Sequence, residues 1–313
     1  MPSYQLAYLD EYLLNLRTNN FSEETLYSYE RDLKVFEDYL TDAKLKFDHL
    51  TKKDINYYKA YLTSIDRNTA NQNKGQKKLS SFSMNRMLSA LRSYLKFLVD
   101  MDYVSPIAPE AVKLIKTEKK HPQIAELQEM IKLIESPVEL ENNKIIADRN
   151  RAMLEVLFST GMRISELLSL KKSQIDNTGR IFIMGKGKKQ RFVYLTPRAH
   201  KSIQKYLAER NDSSAALFIP YRGSNCNEKN KSISTNYLQY KIKEYREKLR
   251  INLPISAHSL RHGFATYMAE QGANPAALQH LLGHESLNTT TRYVHASDRY
   301  AEKTHHKFHP LKD

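Results

Sequence analysis

Cysteine is almost absent from this chain, which has 313 residues and a single cysteine, Cys226. One cysteine cannot form an intramolecular disulfide, so the class of disulfide-stabilised secreted domains is excluded. Cys226 lies in a polar stretch and is expected to be a bystander. This cysteine usage suits a reducing cytoplasm.

Long apolar runs are missing too. No stretch approaches the roughly 18 apolar residues that a membrane-spanning helix requires. The first residues, from Met1 to Leu6, contain no basic segment followed by an apolar one, which a secretory signal would have. Internal repeats and long low-complexity tracts are absent as well. We therefore expect a soluble protein of the cytoplasm.

Acidic residues are outnumbered by basic ones. The chain has 49 Lys and Arg against 35 Asp and Glu, which gives a formal net charge of +14. Such an excess predicts a polyanionic partner whose binding weakens steeply as the salt concentration rises. Nucleic acid is the first candidate, although a basic excess by itself also occurs in proteins that bind no DNA.

Helical periodicity dominates the first hundred residues. Ser22 is a suitable N-cap, and the apolar residues after it recur three and four positions apart, which predicts an amphipathic helix. Similar patterns begin near Tyr8, Thr51 and Ser83. Four packed helices are therefore expected to form a first domain over residues 1–105.

A change of composition follows this helical part. Residues 106–122 contain three prolines and four lysines, which is typical of a basic linker between two domains. The second domain is expected over residues 123–313. On the last helix of the first domain, Arg86 and Arg92 are candidate contacts to phosphates or bases.

Two short strands rich in β-branched and aromatic residues flank a Gly-Lys-Gly turn between residues 180 and 195. This pattern predicts a β-hairpin with Lys186 at its tip. A flexible lysine suits proton donation to a leaving oxygen. Lys188 and Lys189 lie two and three residues further on and share this chemistry.

The last sixty residues carry the most informative pattern. Ser256 can cap a helix and would place His258 and Arg261 in the first turn, where free N–H groups and the helix dipole favour an anion such as phosphate. Another helix should run from Pro275 to Gly283. His284 would follow that helix, and a further helix would carry Tyr293.

These residues stand in a specific order along the chain: Arg163, Lys186, His258, Arg261, His284 and, nine residues later, Tyr293. The order resembles that of the tyrosine recombinases, and within them the Xer type, over nearly the whole chain. The resemblance implies a mainly α fold, with an N-terminal four-helix, SAM-like core-binding domain and a mainly helical catalytic domain that has a small antiparallel sheet.

The resemblance also implies a role for each position. Tyr293 would be the nucleophile, and the other five residues of the series would be catalytic. Glu166 and His262 would support them. DNA contacts are expected from five basic residues: Arg86, Arg92, Lys188, Lys189 and Arg191.

The implied reaction is site-specific cleavage and rejoining of DNA through a 3′-phosphotyrosyl intermediate, without a metal or other cofactor. The expected partners are double-stranded DNA with a specific recombination site and a tetramer, of identical or paralogous subunits, on two duplexes. A DNA translocase is a further possible partner.

The residues after Tyr293 resemble the Xer segment that docks into a neighbouring protomer, and a frayed tail is the alternative. Resolution of chromosome or plasmid dimers is the expected task, linked to chromosome partition and cell division.

Other classes stay open at this point. An integrase or transposase of a mobile element would use the same residues, as would a type IB topoisomerase, and a DNA-binding protein without catalysis would explain the charge. A zinc site is a weaker alternative. His258 with His262, and His280 with His284, are spaced for one helix face, but no carboxylate or cysteine cluster lies nearby to complete the ligand set.

Overall fold

The structure is a computed structural model of the chain and describes residues 5–64, 78–117, 125–184, 190–223, 226 and 233–283. The chain divides into two compact units, Met1–His121 and Pro122–Asp313. Each unit has its own hydrophobic core. Within the described ranges, every helix is too short or too polar to span a membrane.

Helices build the first unit. They are α1 (Leu9–Thr18), α2 (Glu23–Asp42), α3 (Lys52–Thr63) and α4 (Ser81–Asp100), with 3-10 turns at Phe47–His49 and Pro109–Ala111. The Ser22 hydroxyl accepts a hydrogen bond from the N–H of Thr25 at 3.3 Å, so this predicted cap is confirmed. Helix α4 starts two residues before the predicted Ser83, because Ser80 caps it.

Aromatic side chains fill much of the first core. Tyr12, Phe36, Tyr58 and Tyr94 are all buried, and the rings of Phe36 and Tyr58 meet edge to face with centroids 4.8 Å apart. Edge-to-face pairs add to the stabilisation that burial of apolar area provides. The predicted helical periodicity therefore corresponds to one packed core.

The segment that follows α4 packs onto this unit. Ile107 and Val112 are buried in the first core, although residues 106–122 were expected to form a linker. The Asn85 side chain donates a hydrogen bond to the carbonyl of Ile115 and accepts one from its N–H, both at 2.8 Å. Apolar residues between the prolines thus tie residues 106–117 to α4, and residues 118–124 lie outside the described part.

The second unit is helical around one small sheet. Its elements are α5 (Leu127–Glu135), α6 (Pro137–Leu140), α7 (Lys144–Thr160), α8 (Ile164–Leu168), β1 (Arg180–Met184), β2 (Gln190–Tyr194), α9 (Pro197–Ala208), α10 (Thr235–Lys248), α11 (Ala257–Glu270) and α12 (Pro275–Leu282), with a 3-10 turn at Lys172–Gln174. Strands β1 and β2 pair antiparallel, with Phe182 opposite Phe192. The predicted fold class is confirmed.

Helix α7 is the centre of the second unit. Met153, Leu154 and Leu157 are fully buried, and the helix packs against both α9 and α11. The tip of the hairpin, residues 185–189, lies outside the described residues. Because α7 and α11 are neighbours, the end of α7 and the start of α11 can contribute to one site.

Candidate active site

A left-handed glycine turns the chain at the end of α7. Gly161 has φ +61°, and a Cβ atom there would lie 2.4 Å from Cδ1 of Phe264. Both the backbone angle and the close ring of α11 therefore require a glycine. Two residues later, Arg163 is the N-cap residue of α8.

Arg163 is held by Glu166, one turn along α8. The Arg163 N–H donates to Oε2 of Glu166 at 2.7 Å, and Nη1 donates to Oε1 at 2.9 Å. The Arg163 side chain is still 34% exposed. This arrangement fixes the guanidinium while leaving part of it open to an external anion.

Glu166 also binds Arg191 of β2 in a bidentate pair. Arg191 Nη1 and Nη2 donate to the two Glu166 oxygens at 2.9 and 2.8 Å, and both side chains are about 5% exposed or less. Burial raises the pKa of Glu166, but the hydrogen bonds and charges of Arg191 and Arg163 outweigh it and leave this pKa below its ordinary value. Glu166 is therefore a carboxylate shared by two guanidinium groups.

Arg261 is the fifth residue of α11, so it lies just past the first turn in which it was predicted. The Ser256 hydroxyl caps this helix by accepting the N–H of Ser259 at 3.1 Å. Arg261 is buried; its Nη1 donates to the Gly161 carbonyl at 2.7 Å and its Nη2 to the Leu282 carbonyl at 2.6 Å. This arginine thus joins the ends of α7 and α12.

Three arginines meet at the C-terminal end of α12. Arg191 Nε donates to Leu281 O at 2.8 Å, Arg261 Nη2 to Leu282 O at 2.6 Å, and Arg163 Nη2 to Gly283 O at 3.3 Å. The last carbonyls of a helix lack intrahelical partners and carry its negative end, so cations suit them. We call Arg163, Arg191 and Arg261 the arginine clasp.

Two imidazoles lie beside the clasp on α11. The ring centroids of His258 and His262 are 4.1 Å apart and their planes are nearly perpendicular, at 80°. Burial lowers the pKa of His258, and the charges of Arg261 and Arg163 lower it further. Burial, followed by His258 and Arg261, lowers the pKa of His262 to about 4. Both rings are therefore expected to be neutral at neutral pH, and a neutral imidazole can accept a proton.

Beside Arg191, the structure brings together five further residues singled out from the sequence: Arg163, Glu166, His258, Arg261 and His262. Five others lie outside the described residues: Lys186, Lys188, Lys189, His284 and Tyr293. The roles assigned to these ten positions remain predictions.

Two of the expected DNA contacts, Arg191 and Arg86, have partners within the protein. Arg191 is buried in the clasp, and all three of its nitrogen atoms donate to protein oxygens. Arg86 of α4 forms an ion pair with buried Asp32 at 2.8 Å. Arg191 is thus an interior residue, whereas the Arg86 side chain is still 37% exposed and its DNA contact stays a prediction. Arg92 is exposed on α4, in keeping with the surface position that its predicted role requires.

A signal for Arg191 was present in the sequence. Side chains alternate between the two faces of a strand, so Arg191 shares a face with Val193, which is fully buried. The neighbouring lysines favoured a surface interpretation instead. Regarding metals, the described part of the chain has no group of three or more His, Cys, Asp or Glu residues placed to hold an ion.

Comparison with known protein families gives the class of protein that the sequence predicted. Residues 124–299 match the phage integrase family, and residues 9–101 match the N-terminal SAM-like domain of phage integrases. The chain therefore belongs to the phage integrase family, whose members cleave and rejoin DNA. The expected class of enzyme, a tyrosine recombinase, is confirmed.

Relatives that match over most of their length show a resemblance to the Xer recombinases in particular. The chain is 32% identical to the tyrosine recombinase XerD of Staphylococcus epidermidis over 311 residues, covering 96% of this chain and 98% of the relative. It is 33% identical to the tyrosine recombinase XerC of Leptospira interrogans over 299 residues, covering 93% and 89%. The Xer resemblance inferred from the sequence is thus confirmed.

Solved structures share the fold. The XerH site-specific recombinase in a pre-cleavage complex with its difH substrate has a TM-score of 0.70 at 24% identity, over 95% of this chain and 82% of that chain. The integrase of transposon Tn1549 in complex with a circular intermediate DNA has a TM-score of 0.72 at 17% identity, over 97% and 99%. One fold therefore serves both an Xer enzyme and a transposon integrase.

Proposed function

We propose that this chain is a site-specific DNA recombinase of the Xer type that cleaves DNA through Tyr293. The observation that carries the proposal is the meeting of Arg163 and Arg261 at the end of α12, beside His258. Arg163 comes from one part of the chain, His258 and Arg261 come from α11, and α12 is a third part. His284, the next predicted phosphate ligand, directly follows the carbonyl that Arg163 holds.

Phosphate activation follows from the charges. When the Tyr293 oxygen attacks the phosphorus atom, negative charge grows on the non-bridging oxygens, and the guanidinium groups of Arg163 and Arg261 stabilise it. Protein carbonyls and Glu166 already hold both groups, so little reorganisation is needed at the moment of reaction. His284 would add a further donor to the phosphate.

Proton transfer completes the reaction. The Tyr293 phenol loses its proton to His258, whose ring is kept neutral by burial and by the neighbouring arginines. The bond from phosphorus to the 5′ oxygen breaks, and Lys186 protonates this oxygen to give a free 5′-hydroxyl. The phosphotyrosyl bond retains the energy of the broken ester, so a second 5′-hydroxyl can reverse the step and join a new strand.

The proposed partners follow from this chemistry. The exchange of strands requires two duplexes with specific sites and four protomers, identical or paralogous, and a DNA translocase is a candidate activator. Residues 1–105 and 123–313 would contact DNA from separate domains, and the residues after Tyr293 would dock into a neighbouring protomer. We place the reaction in the cytoplasm, with chromosome or plasmid dimers as its substrate. The Xer relatives support this choice.

Covalent trapping tests the proposal. Wild type and Tyr293→Phe are incubated with nicked suicide duplexes, with and without chelator, and denatured samples are examined for a protein–DNA adduct. The proposal predicts an adduct with wild type alone, formed equally in chelator. Salt-sensitive binding of the same duplexes without an adduct, including in mixtures with a paralogue, would instead support a DNA-binding protein without catalysis.

A mobile-element integrase is the second candidate, and the shared fold with the Tn1549 integrase supports it. The two functions differ in their DNA sites. Sequencing of DNA covalently trapped in cells should recover one chromosomal or plasmid site for a dimer-resolving enzyme. Recovery of the two ends of an inserted element would favour the integrase.

A further inference from the structure

Arg191 occupies an unusual place for a residue of a basic hairpin. It is 5% exposed, and its three nitrogen atoms donate to three different protein oxygens: Leu281 O and the two oxygens of Glu166. A buried guanidinium with this set of partners is held in one orientation. Arg191 thus links β2, α8 and the end of α12.

The partners of Arg191 are also partners of Arg163. Glu166 accepts from both guanidinium groups through Oε1, at 2.9 Å in each case. Arg163 and Arg191 also hold two carbonyls of the same helix end, those of Gly283 and Leu281. A displacement of Arg191 would therefore release both supports of Arg163.

Gly283 allows this close arrangement. It has φ +63°, and a Cβ atom there would lie 2.9 Å from Nη1 of Arg191. A glycine is thus needed for the backbone angle and for the approach of the guanidinium to the helix end.

We propose that Arg191 is a positioning residue for DNA cleavage, which orients Arg163 through the shared Glu166 carboxylate and holds the end of α12 through the Leu281 carbonyl. This inference rests on the proposed function. Lysine cannot replace Arg191, because one ammonium group cannot reproduce the planar fork to Glu166 together with the Nε contact to Leu281.

The first test compares Arg191→Lys and Arg191→Gln with wild type in single-turnover cleavage of a nicked suicide duplex. Misplacement of a catalytic group by about 1 Å costs on the order of 100-fold in rate, so we expect losses of about that size. Binding of the duplex should change by less than about threefold, since Arg191 is buried. Arg180→Gln is the matched control, because Arg180 is an exposed arginine of the same hairpin, and it should cleave like wild type.

The pH dependence separates positioning from a purely structural role. In Arg191→Gln, burial still raises the pKa of Glu166 while its strongest opposing partner is gone. Glu166 then takes up a proton at a higher pH than in wild type, so the variant-to-wild-type rate ratio should fall as the pH is lowered. In the double variant Glu166→Gln/Arg191→Gln, the rate ratio to wild type should not fall in this way, because Glu166 is no longer there to take up a proton.

A glycine pair extends the test in case Arg191→Gln does not fold. Gly283→Ala would displace Arg191 and should slow cleavage. Gly272→Ala imposes a similar backbone cost, at φ +89°, but its Cβ would meet no atom within 4 Å, so it should cleave like wild type. Adding Gly283→Ala to Arg191→Lys should cost less than the product of the two single effects.

Wild-type rates in both Arg191 variants, or a rate ratio in Arg191→Gln that does not change with pH, would overturn the positioning role. Equal rates for Gly283→Ala and Gly272→Ala would overturn it independently. If wild type forms no adduct while the duplex binds, the proposed function fails and this inference fails with it.

Discussion

The side chains of Arg163 and Arg261 differ in how firmly the protein holds them. Arg261 is buried between two backbone carbonyls, whereas Arg163 rests on Glu166 and stays partly exposed. A cation that protein groups already hold loses little freedom when a phosphate binds, and this pre-organisation is a large part of electrostatic catalysis. The two residues should therefore differ in what their replacement does to the protein.

Replacing Arg163 with Lys should slow cleavage by about 100-fold or more, because the fork that binds the growing charge is lost. The same change at Arg261 should slow cleavage similarly and also lower the melting temperature, since a buried set of hydrogen bonds is broken. Single-turnover trapping and thermal denaturation measure the two effects, with Arg180→Lys as control. A wild-type cleavage rate for Arg163→Lys would contradict the role of Arg163.

Asp32 gives the first unit a pH-dependent stability. Burial raises its pKa to about 6, against the opposing charge of Arg86, from an ordinary value of 3.8. The folded state therefore binds the proton more tightly than the unfolded chain. This contribution is fully present below about pH 4 and is lost as the pH rises through about 6.

At about 1.4 kcal/mol per pKa unit, this loss is on the order of 3 kcal/mol. Hydrogen exchange of α2 and α4 in the full chain, compared between about pH 4 and about pH 7, should show it. Asp32→Asn should remove the loss, whereas Asp10→Asn, at an exposed position, should keep it. The account is contradicted if Asp32→Asn leaves the pH dependence unchanged.

The order and spacing of residues in the sequence led to Arg163, His258 and Arg261, which the structure brings together, while their catalytic roles stay predictions. The surroundings of Arg86 and Arg191 were not accessible in this way. Asp32 is far from Arg86 in the sequence, and the end of α12 is far from Arg191, so only the tertiary structure reveals which groups these two arginines bind.

At the scale of the elements, capping residues in the sequence predicted where helices begin. Ser22 and Ser256 cap helices because a hydroxyl beside free N–H groups satisfies them whatever the rest of the fold. Residues 106–117 were harder to interpret. Proline and lysine suggested an extended linker, whereas the burial of Ile107 and Val112 depends on the surface that α4 offers.

Asn85 should control how firmly this segment is attached. Asn85→Ala removes both hydrogen bonds to Ile115, so trypsin should cut after Lys113 and Lys116 several times faster than in wild type. Ser89→Ala, one turn further along α4, is the control. Equal cleavage of Asn85→Ala and wild type at these lysines would show that the apolar contacts alone hold the segment.

At the scale of the whole molecule, the net charge of +14 sets the expected response to salt. The affinity for a duplex should fall linearly with the logarithm of the salt concentration, with a slope of about 0.9 for each phosphate contacted. Arg92→Gln should reduce this slope by about one contact. Arg86→Gln should instead lower the stability of the first unit, because Asp32 loses its partner. An unchanged slope in Arg92→Gln would remove Arg92 from the DNA-binding surface.

The most direct measurement identifies which tyrosine carries the DNA. The chain has 20 tyrosines, so an adduct alone does not single out Tyr293. Wild-type protein trapped on a nicked duplex is digested with protease and nuclease, and the peptide that retains a nucleotide is sequenced by mass spectrometry. The account predicts the nucleotide on Tyr293, through a 3′-phosphate, and no modified peptide from Arg163→Lys after the same short reaction. A nucleotide on another tyrosine, or an adduct that persists in Tyr293→Phe, would contradict it.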